Sequence, residues 1–120
     1  MLRIMAIGDV TSPAAASWLA SHLWEARRQH NVDLVVVNAE NAGFIIGPSA
    51  DCAQKLLDGG ADVLTGGTHI LQNFSLHKVL EENARVLRPI NYPSAAPGFG
   101  YAVVTAKGYR ILVLNAAKRV

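Results

Sequence analysis

Short apolar runs recur along this chain, each followed by polar residues and then by a stretch with helical spacing. The clearest run is Leu34, Val35, Val36 and Val37, with three β-branched side chains, which suits a strand buried on both faces. Residues 2–7 read as an earlier strand, and Ser12 followed by Pro13 supplies an N-cap with proline at the first helical position. The spacing of Ala15, Leu19, Leu23 and Ala26 predicts a helix from there to about His30, with Trp24 on its opposite side, a hint of packing beyond the sheet. A second helix is expected from near Ser49 to Gly59-Gly60, a plausible C-cap. Residues 63–65 read as a third strand, 71–82 as a helix whose pattern Asn73 and Ser75 weaken, and 85–87 as a fourth strand. Residues 101–106 and 109–114 flank Lys107-Gly108, the signature of a tight hairpin.

Three successive βα units imply parallel strands with right-handed crossovers, and the hairpin is expected as an antiparallel edge. The predicted fold class is α/β: one domain over residues 1–120, with a mixed, mostly parallel sheet, flanking helices and a C-terminal β-hairpin.

Composition adds to this picture. Hydrophobic residues make up 51% of the 120 and charged residues only 17%, an apolar balance that suggests a surface awaiting cover by a subunit or by more chain. A net charge of +2 is too weak to argue for nucleic acid or a membrane surface. The single cysteine, Cys52, rules out an internal disulfide and favours a reducing compartment. Residues 2–7 run into Gly8-Asp9 rather than a cleavage site, and no apolar run approaches the ~18 residues a membrane span needs. A soluble, cytoplasmic protein is expected.

Each of the first three strands ends in polar side chains: Gly8-Asp9, then Glu40-Asn41, then Gly66-Gly67-Thr68-His69. Parallel strands place these tips on one sheet edge, where ligands of open α/β sheets bind. An aspartate, a glutamate, an asparagine, a threonine and a histidine fit hard divalent metals better than a nucleophilic triad. A plainer reading also stands. Asp9 can be a turn residue, Glu40 and Asn41 can bond the loop backbone, and the two glycines can serve a sharp turn. Ser12 and Ser49 read as helix caps, Cys52 as a small core residue and His77 as a solvated helix residue. No G-x-G-x-x-G or P-loop is present, so a Rossmann-like nucleotide binder lacks its glycine signature.

The order of these tips, continued by Arg88-Pro89-Ile90-Asn91-Tyr92-Pro93 and Pro97-Gly98-Phe99-Gly100-Tyr101, resembles the YmdB-like metallophosphoesterases of the calcineurin-like superfamily. The resemblance covers essentially the whole chain. It implies phosphodiesterase activity on 2′,3′-cyclic nucleotides and related small phosphoesters, and a fold that is half of an α/β/β/α sandwich. It also implies two divalent metal ions, iron, manganese or magnesium. By position, Asp9 would ligate the first metal, Glu40 would bridge both, and Asn41 would ligate the second. Thr68 stands where the family has an asparagine ligand, and His69 matches its proton donor to the leaving group.

The departures are specific. The family's glycine-rich segment appears here as residues 11–16, with its arginine falling on Ala16. The second loop reads Gly43-Phe44-Ile45-Ile46 where the family has more glycine, and Ala116-Ala117-Lys118-Arg119-Val120 departs from an apolar-glycine pattern. Family members continue further and add three histidines to the metals. The resemblance therefore implies an N-terminal half, completed by a C-terminal half or by assembly with other chains. Two functions are expected: a metal-dependent phosphodiesterase, or a non-catalytic module with residual metal or phosphate affinity.

Overall fold

The computed structural model describes residues 1–43 and 47–118. The expectations placed on residues 44–46 and 119–120 lie outside the described residues. In chain order the elements are β1 (Ile4–Ile7), α1 (Pro13–His30), β2 (Leu34–Asn38), α2 (Ala50–Asp58), β3 (Val63–Thr65), α3 (Ser75–Glu82), β4 (Val86–Leu87), β5 (Tyr101–Ala106) and β6 (Tyr109–Leu114).

β1, β2, β3 and β4 form one parallel sheet in sequential order. With right-handed crossovers, sequential order sends every connecting helix to the same face. The core shows this directly. Met5, Ile7, Val35, Val37, Leu64 and Val86 share one cluster with Ala16 and Leu23 of α1, Ala53 and Leu56 of α2, and Leu76 and Leu80 of α3.

The other sheet face carries Leu34, Val36, Val63 and Leu87, and β5 and β6 pack on it through Ala102, Val104, Ala106, Ile111 and Val113. The hairpin is thus a separate two-stranded sheet, not an antiparallel edge of the first. An apolar face opposite the helices needs its own layer, and a ribbon laid across it buries more than a ribbon added at the edge. A single parallel bridge, Leu87 to Phe99, links the main sheet to the approaching segment.

Local signals set most boundaries. The Ser12 hydroxyl accepts from the Ala15 N–H at 3.0 Å and the Ser49 hydroxyl from the Cys52 N–H at 3.2 Å, so both serines cap helices. α1 ends at Asn31 in the left-handed region (φ 52°), a conformation asparagine tolerates. Lys107 and Gly108 both take positive φ (51° and 80°), as a tight hairpin turn demands.

α3 begins four residues later than the apolar spacing suggested. The Asn73 carboxamide oxygen accepts from both the Ser75 N–H (3.1 Å) and the Ser75 hydroxyl (2.7 Å), an alternative to helical bonding that delays the first turn. His77 is only partly solvated: its Nε2 lies 2.8 Å from the Leu71 carbonyl and ties down the turn before the helix. Trp24 does pack beyond the sheet. Its indole covers Gly60, and its Nε1 donates to the Asp58 carbonyl at 3.3 Å.

The outer face of the hairpin stays open, with Tyr101, Val103, Leu112 and Leu114 each more than half exposed. That is the uncovered apolar surface the composition pointed to. Among the described residues no helix is long and apolar enough to cross a membrane.

Candidate functional site

Each of the first three strands of the parallel sheet leaves its carboxyl end through a polar tip held by a buried apolar neighbour. Asp9 is followed by Val10, Glu40 and Asn41 are flanked by Ala39 and Ala42, and Thr68 and His69 are followed by Ile70. The small anchors sink into the core and leave the polar side chains at the rim. Backbone bonds join neighbouring tips: Val10 N–H to the Asn38 carbonyl at 3.1 Å, and Ala39 N–H to the Thr65 carbonyl at 2.8 Å.

Two contacts gather the predicted residues. Asp9 accepts a hydrogen bond from the Asn41 side-chain amide at 2.7 Å, across the gap between the first and second tips. One carboxylate oxygen of Glu40 accepts from the His69 backbone N–H at 2.9 Å, and the His69 imidazole Nδ1 lies 3.7 Å from the same oxygen. Because Glu40 and Asn41 are adjacent in the chain, the two contacts join all three tips. Gly67 makes the second contact feasible, since a β-carbon there would occupy the space of the Glu40 carboxylate.

Glu40 and Thr68 line a rim cleft of about 350 Å³ with Asn38, Asn115 and Lys118. Asp9, Asn41 and His69 are not part of its wall. Asn38 positions Glu40, accepting from the Glu40 N–H at 3.0 Å. Asn115 is buried and donates through its side-chain amide to the Gly66 and Leu87 carbonyls, holding the ends of β3 and β4 together. Sequence reasoning missed Asn115 and Lys118. The signal available was the one that found Glu40, a polar side chain ending an apolar strand run: Asn115 follows Leu114 just as Asn38 follows Val37.

These residues supply hard oxygen donors and one imidazole, chemistry suited to divalent cations. Their number is small. Among the described residues no group of three or more histidine, cysteine, aspartate or glutamate side chains is placed to hold a metal ion. The donors present fit part of a metal centre, with one carboxylate at the first tip and one at the second.

A parallel sheet with helices on one face, a β-ribbon on the other and a carboxylate-lined rim defines an α/β protein of phosphatase fold. The chain belongs to the YmdB-like protein family, whose model matches residues 5–120. It is 26% identical over 114 residues to a 2′,3′-cyclic-nucleotide 2′-phosphodiesterase of Bacillus subtilis, covering 95% of this chain and 43% of that one. A crystal structure of a hypothetical protein from Thermus thermophilus superposes with a TM-score of 0.87 at 29% identity, over 98% of this chain and 46% of the other. A phosphatase from Mycoplasma pneumoniae gives 0.83 at 26% identity, over 96% and 42%. The chain thus spans less than half the length of these relatives.

Proposed function

We propose that this chain forms one half of a metal-dependent phosphodiesterase site acting on small phosphoesters, 2′,3′-cyclic nucleotides among them. The observation that carries the reading is the joining of three strand tips by the Asp9–Asn41 and Glu40–His69 contacts. Support also comes from family membership and from the activity named for the Bacillus relative.

In this reading Asp9, Glu40, Asn41 and Thr68 would hold the two divalent ions. When bound, the metals would supply Lewis-acid neutralisation of phosphate charge. The protein's own contribution is orientation and proton transfer. The His69 N–H and the Gly67 backbone fix the Glu40 carboxylate, and the partly exposed His69 imidazole would protonate the departing alkoxide. Thr68 brings a neutral hydroxyl where the family carries an amide ligand, which weakens that position. The remaining donors would come from further chain or from an assembly. Cys52 is a buried free thiol, in keeping with a reducing cytoplasm.

The small donor count favours a second reading, a non-catalytic module that keeps weak metal or phosphate affinity. Hydrolysis of bis-p-nitrophenyl phosphate with added manganese or iron separates the two. Turnover that disappears in Glu40→Ala supports the enzyme, and absence of turnover with every metal supports the module.

A further inference from the structure

The walls of the rim cleft carry one charge of each sign, on Glu40 and on Lys118. The rest of the described lining is amides, hydroxyls, small side chains and backbone. The two charges do not neutralise each other. Glu40 is held by His69, through the backbone N–H at 2.9 Å and the imidazole at 3.7 Å. The other three lysines each reach a protein oxygen: Lys55 the Ser17 hydroxyl at 3.3 Å, Lys78 the Glu82 carboxylate at 3.9 Å and Lys107 the Met1 carbonyl at 2.8 Å. Among the described residues, none accepts from the Lys118 ammonium, which lies in the wall of a cleft instead.

The backbone that carries Lys118 is pinned, although it belongs to no helix or strand. The Asn115 N–H donates to the Gly100 carbonyl at 2.9 Å, and the Asn115 carbonyl accepts from the Ile90 N–H at 2.8 Å. Asn91 then grips Ala117 twice. Its amide N–H donates to the Ala117 carbonyl at 2.7 Å, and its side-chain oxygen accepts from the Ala117 N–H at 3.0 Å. The chain is therefore fixed up to the residue before Lys118. Ordering a side chain around a ligand costs entropy, and here the backbone share of that cost is met on folding.

The Asn38 side chain supplies a second donor to the same cleft. Its Oδ1 accepts from the Glu40 N–H at 3.0 Å, and its Nδ2 has no protein acceptor among the described residues. Neither an ammonium nor an amide N–H can ligate a metal. Both suit the oxygens of an anion.

We propose that Lys118 is the phosphate-binding side chain of the rim cleft, its ammonium meeting a phosphate oxygen with the Asn38 amide as a second donor. The inference rests on the phosphoester reading above and adds to it the residue that takes the negative charge of the ligand.

Calorimetric titration of the full chain with inorganic phosphate, in the presence of magnesium, tests this on wild type, Lys118→Met and Lys118→Arg. Lys118→Met should bind phosphate about tenfold more weakly, and Lys118→Arg should stay within about threefold of wild type. Because the side chain is exposed, all three should melt within about 3 °C of one another. Wild-type affinity should fall as sodium chloride is raised, and fall less steeply in Lys118→Met, which has lost a screened contact. If Lys118→Met does not fold, Lys118→Gln carries the same comparison. Equal binding by wild type and the neutral variant overturns the role of Lys118 alone, as does an arginine variant that binds as poorly as methionine. Wild type that binds no phosphate overturns the phosphoester reading and this inference together.

Discussion

The carboxylate of Glu40 lies against the backbone of Gly67, in the space that a β-carbon at position 67 would fill. Gly67 has an ordinary backbone φ, so alanine meets no conformational strain there; the conflict is steric and falls on the tip of one flexible side chain. Gly67→Ala should therefore push the carboxylate aside and break its bond to the His69 N–H, at a stability loss of about 1–2 kcal/mol. Manganese affinity should fall at least tenfold in the same variant. The check is a double-mutant cycle: in a Glu40→Ala background, Gly67→Ala should have almost no further effect on either quantity.

Asp9 and Asn41 form the second contact of the rim, a side-chain bond of 2.7 Å in an exposed setting. Asn41→Asp would replace that bond with two facing carboxylates. Without metal the variant should melt about 2–4 °C lower, equivalent to less than ~1 kcal/mol for a domain of this size. Added manganese should narrow the gap, because a cation between the two carboxylates turns repulsion into attraction. Thermal melts with and without the metal provide the comparison, and a gap unchanged by manganese counts against a cation at this pair.

Asn115 is a structural clamp at the edge of the cleft. Its buried amide serves two carbonyls, Gly66 just after β3 and Leu87 of β4, so its removal takes a donor from both. Asn115→Ala should lower unfolding free energy in urea by about 2–4 kcal/mol. Restoring volume without a donor, as in Asn115→Leu, should not recover the loss.

Gly59 lies where α1 and α2 touch. A β-carbon there would stand 2.6 Å from the Ala20 Cα and 2.8 Å from its β-carbon, and the obstacle is helix backbone that cannot swing aside. Gly59→Ala should force the helices apart and lower stability by about 1–3 kcal/mol, measured by chemical denaturation. Trp24 reports the same shift, since its indole is bonded to Asp58 and covers Gly60.

Several features were legible because their causes are local. Ser12 and Ser49 announce helix starts by hydroxyl capping, and Lys107-Gly108 announces a hairpin because few residue pairs accept two positive φ values. The polar tips were legible for the same reason, each being a change of character at the end of an apolar run. The start of α3 was not, because one side chain, Asn73, outcompeted the apolar spacing. Neither was the burial of Arg88: a surface arginine and a buried one are written with the same letter.

Taken by itself, the sequence determined the order and type of the elements, the parallel character of the sheet and the side chains that end its strands, since periodicity and capping act over a few residues. Only the tertiary structure decided that the hairpin covers a sheet face, that Glu40 meets His69 over Gly67, and that the Asn115 amide ties Gly66 to Leu87. These are relationships between residues far apart in the chain. They depend on which faces bury each other when the layers pack, and no local pattern encodes that.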